Sequence, residues 1–204
     1  MVSYEHKIRN IYLGEYSPYQ EVEYIESSWS WNTWQHINTW YIVSNNTKVQ
    51  FKISDWGQRT WQIFWVANTW ASWWKCFSIV FDAYTFNNVY NLAHWFNDWA
   101  VHIWELSQEW LYKDWTKLST PSATTFTSDW PLAIFCINYQ WGSWFVEHVS
   151  NRLYFFKIYE WENLVRDFIP CYRISDDVIW LYDKVNNVFY TNSWTWTFTK
   201  WPDV

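Results

Sequence analysis

The chain has 204 residues, a length that fits one domain with a sizeable core, and its 20 acidic and 14 basic side chains give a formal net charge of −6. Its acidity argues against a nucleic-acid partner, which requires a basic patch or stripe. We expect no membrane insertion and no secretory signal, because no apolar run approaches the roughly 20 residues of a spanning helix and the chain does not begin with an apolar stretch.

We expect a short leader over residues 1–20 and one domain over residues 21–204, because the composition is uniform along the latter range. Residues 47–53 alternate between apolar and polar side chains, which predicts a half-buried strand of an antiparallel sheet. The core-facing side chains would be Val49, Phe51 and Ile53, and the solvent-facing side chains Lys48, Gln50 and Lys52.

Further strands are predicted along the rest of the chain. Residues 76–81 and 132–137 are almost continuously apolar and predict central strands, whereas residues 153–159 and 164–169 predict two neighbouring strands joined by a turn. Residues 181–190 predict another hairpin, around a turn at two asparagines. No segment keeps the 3.6-residue period of a helix. Many short strands with frequent turns predict an all-β fold, a sandwich or barrel, and we expect a two-sheet antiparallel β-sandwich whose terminal strands lie close together.

Tryptophan and glycine are abnormally distributed, with 23 tryptophans and only 3 glycines. Ordinary usage at roughly 7% would give about 14 glycines, and an all-β chain needs glycine in its turns because glycine adopts positive φ without steric cost. Four tryptophans follow aspartate, where Asp-Gly is the expected turn pair. They are Trp56, Trp99, Trp115 and Trp130.

The segment 111–118 illustrates how a tryptophan after aspartate occupies a position where a turn favours glycine. With glycine at position 115 it becomes two short strands joined by a two-residue type I′ turn. We therefore hypothesise an alternative genetic code, in which most of these tryptophans are glycines encoded by UGA; the alternative is a truly tryptophan-rich protein. UGG codons at positions 115, 194, 196 and 201 would contradict the hypothesis. Trp104 and Trp144 lie beside apolar strand residues and are candidates for genuine tryptophan.

Three cysteines, Cys76, Cys136 and Cys171, lack metal-site spacing and lie in apolar runs, which predicts buried, reduced thiols. The five histidines show no ligand spacing such as H-x-x-x-H. The expected cofactor set is therefore empty, with one exception: Asn97 and Asp98 could offer oxygen ligands to Ca²⁺.

With glycine restored at the tryptophans, most of the domain resembles a known family, the laminin G-like, concanavalin A-like lectin/glucanase jelly-roll domains of bacterial surface proteins and phage structural proteins. The matching segments lie at residues 23–28, 35–40, 155–159, 164–171, 181–192 and 197–202. The leader around residues 8–14 is similar to short leaders of phage virion proteins. The resemblance implies a jelly-roll sandwich on a virion or cell surface, made in the cytoplasm before release.

The resemblance implies function only by class, since one fold hosts many functions. We expect a non-catalytic binding module for a glycan or surface polysaccharide, or for adhesion. The alternative is a purely structural domain that assembles with virion or surface proteins, and a minority alternative is a glycoside hydrolase of the jelly-roll glucanase type. Tyrosines on a sheet face can stack on sugar rings. The candidate ligand-binding residues are Tyr84, Tyr90, Asn97, Asp98 and Tyr139.

One acidic triplet is a candidate for catalysis. Glu21, Glu23 and Glu26 match E-x-E-x-x-E, similar to the E-x-D-x-x-E signature of related glucanases. Retaining glycosidases hold two carboxyl groups about 5–5.5 Å apart. The triplet lies on the first strand of the domain, where the family carries a non-catalytic opening, so solvated edge-strand carboxylates are expected and no catalytic residue is assigned.

Overall fold

The computed structural model describes residues 17–27, 35–55, 62–67, 76–80, 83–86, 89–92, 100–120, 125, 127–138, 145–146, 151–193 and 197–204. These residues form eighteen β-strands and no helix. The strands are β1 (Tyr19–Glu26), β2 (Ile37–Ser44), β3 (Thr47–Asp55), β4 (Gln62–Ala67), β5 (Cys76–Val80), β6 (Ala83–Phe86), β7 (Val89–Leu92), β8 (Val101–Leu106), β9 (Leu111–Lys113), β10 (Thr116–Ser119), β11 (Thr127–Ile134), β12 (Ile137–Asn138), β13 (Phe145–Val146), β14 (Asn151–Glu160), β15 (Asn163–Arg173), β16 (Ile179–Asp183), β17 (Val188–Thr191) and β18 (Thr199–Asp203).

The strands form a large and a smaller sheet, and the all-β prediction is confirmed. The large sheet has ten strands in the order β10-β9-β8-β3-β14-β1-β15-β16-β17, with β18 paired to β1. The smaller sheet has eight strands, with the path β13-β12-β4-β5-β6-β7 and with β11 between β2 and β4. Pairing is antiparallel except between β12 and β4. No helix in the described part of the chain is long and apolar enough to cross a membrane.

Phenylalanines join the two sheets. Phe64 of the smaller sheet lies 5.5 Å from both Phe51 and Phe156 of the large sheet, measured between ring centroids, and all three are fully buried. Val49 and Ile53 are buried on the same strand as Phe51, whereas Gln50 and Lys52 between them are half-buried. The alternation predicted for residues 47–53 is thus confirmed, and it defines an inner and an outer face of the large sheet.

A polar contact also crosses between the sheets. Tyr41 on β2 donates a hydrogen bond from its hydroxyl to the carboxylate of Glu160 on β14, and Ser44 donates to the same carboxylate at 3.0 Å. Burial, followed by the bond to Glu160, raises the pKa of Tyr41 well above its usual range. The two sheets are therefore tied by a phenol that keeps its proton.

The predicted hairpins are confirmed. Asp114 and Trp115 join β9 to β10 with φ values of 47° and 65°, the two positive angles of a type I′ turn. The β14–β15 hairpin closes at Glu160 and Asn163, with φ of 57° at Trp161. A positive φ at only the first central residue is the sign pattern of type II′, which favours glycine there.

The segment 132–137 differs from the prediction of one continuous strand. β11 ends at Ile134 and β12 begins at Ile137, because Phe135 between them adopts φ of 69°. Phe135 is fully buried and its ring lies 5.4 Å from that of Phe198. Packing of this side chain, a tertiary effect, offsets a local backbone cost that hydrophobicity alone does not reveal.

The first and last described strands pair as expected. Val22 lies opposite Asp203, and the backbone N–H of Val204 donates to the carbonyl of Glu21 at 3.2 Å. Of the predicted leader, residues 1–16 lie outside the described residues, and residues 19 and 20 are the first of β1.

Two of the three cysteines can be placed. Cys136 and Cys171 are buried free thiols, as predicted, and the side chain of Cys76 lies outside the described residues. Burial raises the pKa of the Cys171 thiol to about 12, so this thiol stays protonated near neutral pH.

Candidate functional site

Three tryptophans occupy backbone conformations that favour glycine. Trp40, Trp115 and Trp161 have φ of 55°, 65° and 57°, and their exposed fractions are 70%, 66% and 64%. Trp40 lies where the β2–β11 register shifts, in the part of β2 between the pairs Asn38–Ala133 and Ile42–Pro131. In contrast, Trp104 is 1% exposed in the middle of β8. The structure thus separates solvent-exposed tryptophans at left-handed backbone positions from a core tryptophan. Of the four tryptophans that follow aspartate, Trp115 is left-handed as expected, whereas Trp130 lies in β11 and is absent from the left-handed residues; Trp56 and Trp99 lie outside the described residues.

Aromatic and lysine side chains alternate on the outer face of the large sheet, where β3 pairs with β14. We call this set the stripe; its members are Lys48, Lys52, Tyr154, Phe155, Lys157 and Tyr159. Cross-strand pairing places Lys48 opposite Tyr159 and Lys52 opposite Phe155. The smaller sheet packs on the other face, through Phe51, so the aromatic side chains of the stripe are only half-buried.

The lysines of the stripe lie over its rings. The Lys48 ammonium is 4.6 Å from the centroid of Tyr159, the Lys52 ammonium is 4.7 Å from that of Tyr154, and the Lys157 ammonium is 5.5 Å from that of Phe155. Such cation–π contacts orient both partners at modest energy, about 0.5–1 kcal/mol at exposed sites. The stripe is therefore a row of aromatic rings, each with a lysine ammonium group over it.

Carboxylates neutralise part of this charge. Lys48 contacts Glu162 at 3.0 Å and Lys157 contacts Asp167 at 3.8 Å. Burial raises the pKa of Tyr159 and Lys48 opposes that rise, so the phenol remains a neutral hydrogen-bond donor and acceptor at physiological pH. The stripe offers apolar ring surface together with hydroxyl and amine groups, and little net charge.

A cleft of about 70 Å³ adjoins the Lys48 end of the stripe. It lies between the β2–β3, β8–β9 and β14–β15 turns, which are neighbours because β3 lies between β8 and β14. Its lining includes Asn46, Lys48, Gln108, Trp110 and Trp161. Lys48 belongs to both features, so the cleft continues the stripe.

The structure describes two of the five predicted ligand-binding residues, Tyr84 and Tyr90. Tyr84 lies opposite Asn91, and Tyr90 lies opposite Thr85, so the two tyrosines occupy positions on opposite faces of the smaller sheet. The two tyrosines therefore do not share one face of the sheet, and a role of either one in ligand binding stays a prediction.

The other predicted ligand-binding residues, Asn97, Asp98 and Tyr139, lie outside the described residues, and with them the Ca²⁺ hypothesis. Within the described ranges, no group of three or more histidine, cysteine, aspartate or glutamate side chains could hold a metal.

The acidic triplet lies on β1. Glu26 is bound to Arg152 at 2.9 Å, Glu23 is exposed, and Glu21 is half-buried opposite Cys171. One of the three carboxylates is thus held in an ion pair that serves the β1–β14 contact.

Sequence reasoning identified Lys48 and Lys52 as outward-facing but did not single out Tyr154, Phe155 and Tyr159. The signal for these residues is that aromatic and basic side chains occupy several positions along 152–159. Which of these positions face outward follows only from the pairing of this strand with β3. Comparisons of this chain with protein-family models, with curated proteins and with solved structures find no match.

Proposed function

We propose that the protein is a non-catalytic carbohydrate-binding module on a virion or cell surface, built on a laminin G-like, jelly-roll form of the two-sheet fold. The observation that carries the proposal is the stripe: three aromatic rings and three lysines on the sheet face opposite the phenylalanine core. The sequence resemblance to lectin-like jelly rolls supports the same class of function.

The chemistry of the stripe suits a sugar polymer. The faces of sugar rings present C–H groups that pack on aromatic rings, while their hydroxyls need donors and acceptors at the rim. Tyr154 and Tyr159 supply rings with polar tips, and Lys48 and Lys157 supply donors. Because Glu162 and Asp167 balance these lysines, the favoured glycan is uncharged.

Binding to a panel of polysaccharides tests the proposal, with α-glucans, β-glucans, chitin and xylan as probes in affinity electrophoresis and pull-down. Loss of a central aromatic contact typically weakens binding about tenfold or more. Tyr154→Ala and Tyr159→Ala are therefore each expected to lower the affinity for the retained polysaccharide by about that factor.

The matched control is Tyr182→Ala. Tyr182 belongs to a separate aromatic cluster on the same sheet face, 4.4 Å from Tyr19, and its loss is expected to leave binding unchanged. Equal losses in all three variants would contradict a role for the stripe. Absence of retention on every probe, together with stable incorporation into particles, would support the structural assembly alternative instead.

A further inference from the structure

We propose that the cleft beside Lys48 is a subsite for one sugar ring, stacked on Trp110, and that the residue at position 161 decides whether the ring can enter. This inference rests on the proposed carbohydrate-binding function and assigns a second, distinct contact region to it. The cleft adjoins the stripe through Lys48, so one glycan chain can lie on both.

Trp110 is held in place before any ligand arrives. Its indole N–H donates to Glu105 Oε1 at 2.6 Å, and its ring meets that of Tyr112 edge-on at 6.1 Å. The Ser107 hydroxyl oxygen accepts the backbone N–H groups of Glu109 and Trp110 at 3.1 and 3.2 Å, which fixes the loop. A ring that is already ordered loses little entropy on binding.

Polar groups converge on the same cleft. Asn46, Gln108 and Lys48 line it; side-chain amides both donate and accept hydrogen bonds, and an ammonium group donates them. One rigid aromatic side chain with a few polar groups around it is the usual composition of a small-molecule site. Sugar hydroxyls match amide groups in this respect, since they too donate and accept.

Position 161 restricts the cleft. A volume of about 70 Å³ holds only a handful of water molecules, at roughly 10–15 Å³ each, fewer than the non-hydrogen atoms of a hexose. Trp161 is part of the lining, and its φ of 57° is an angle that favours glycine. Glycine at this position removes the side chain and relieves the backbone, so the space beside Trp110 opens to a pyranose ring.

The experiment compares Trp161→Gly with the parent chain by titration calorimetry, using cello-, laminari-, malto- and chito-tetraose as probes. We expect Trp161→Gly to bind at least one of them about tenfold tighter than the parent, and Gln108→Ala in the same background to reverse the gain. Trp115→Gly is the matched control, because it relieves the same left-handed strain at a residue that does not line the cleft. It should bind as the parent does.

The subsite would be overturned if Trp161→Gly bound no tetrasaccharide more tightly than Trp115→Gly does. It would also be overturned if Trp161→Gly bound more weakly than the parent chain, because Trp161 would then itself be the stacking surface. A third contradiction would be a Gln108→Ala substitution that leaves the affinity of Trp161→Gly unchanged. If Tyr154→Ala still weakens retention on polysaccharide about tenfold in any of these cases, the proposed function stands and only the cleft is wrong. If no form binds polysaccharide or tetrasaccharide, both proposals fail.

Discussion

The carboxylate of Asp183 accepts a hydrogen bond from the backbone N–H of Asp167 at 3.0 Å, and this bond ties the β16–β17 turn to β15. The same fully buried carboxylate accepts from the N–H of Val185 at 3.1 Å and from the side-chain amide of Asn186 at 2.6 Å. Arg166 lies 3.5 Å away. Asp183 thus fixes the turn that follows β16.

Asp183→Asn is expected to lower the free energy of unfolding by about 2 kcal/mol, because the new amide N–H groups would face the Asn186 amide and Arg166, which are also donors. Denaturant titration measures this change. Asp177→Asn is the matched control: Asp177 pairs with Lys200 at an exposed site, where such a pair contributes at most about 1 kcal/mol. Equal effects of the two substitutions would contradict the role of Asp183.

Replacing tryptophans by glycine should stabilise the protein only where the backbone is left-handed. Trp115→Gly is expected to raise the free energy of unfolding by about 1 kcal/mol, the cost of holding a non-glycine residue at positive φ. Trp104→Gly is expected to lower it by about 4 kcal/mol, because a buried ring is lost from the core. Denaturant titration of both variants measures these changes. Together with the nucleotide sequence of the codons at positions 40, 104, 115 and 161, it tests the hypothesis that UGA encodes glycine in this gene.

Trp201→Gly provides the control for exposure. Trp201 is 52% exposed in β18, and it is absent from the left-handed residues of the described chain. Glycine in a strand costs about 0.5–1 kcal/mol, so this variant should lose a little stability. A gain equal to that of Trp115→Gly would show that exposure of the ring, and not backbone conformation, explains both results.

Stability should fall at alkaline pH. Burial raises the pKa of the Tyr19 hydroxyl from 10.0 to about 12 and that of the Cys171 thiol from 9.0 to about 12. The negative charge of the nearby Glu21 is the second cause of both shifts. Between these values the unfolded chain has lost protons that the folded chain keeps, so the free energy of unfolding decreases as pH rises.

Urea titrations from pH 7 to 11.5 check this expectation. These two groups contribute no slope below about pH 8, and their contribution falls from about pH 9 towards pH 12. The double variant Tyr19→Phe, Cys171→Ala should lose part of the alkaline slope. An unchanged slope in the double variant would show that other groups carry it.

We expect no turnover of β-glucans or other polysaccharides. Hydrolysis of a glycosidic bond needs an acid and a base or nucleophile held on one face, and Glu26 of the acidic triplet is bound to Arg152. Reducing-sugar assays on the panel measure the activity. Turnover that disappears in Glu21→Gln or Glu23→Gln would contradict the expectation and favour a glucanase.

Local patterns in the sequence were sufficient for the strands and several turns. The alternation along residues 47–53 predicted the buried faces of Val49, Phe51 and Ile53, because side chains in a strand alternate between two faces. The Asp114-Trp115 pair predicted a type I′ turn, because such a turn places two consecutive residues at positive φ. Both signals lie within a few residues along the chain.

The candidate site depended on contacts between distant segments. Tyr154 and Tyr159 join Lys52 and Lys48 because β14 pairs with β3, about a hundred residues earlier in the chain. Tyr84 and Tyr90 are close in sequence, yet their register places them on opposite faces. The sequence by itself determined the strand class and some turn residues, the Asp114-Trp115 pair among them, since these follow from local backbone sterics. Only the tertiary structure decided which outward-facing side chains share a surface, because strand pairing and sheet order depend on how the whole apolar core is buried.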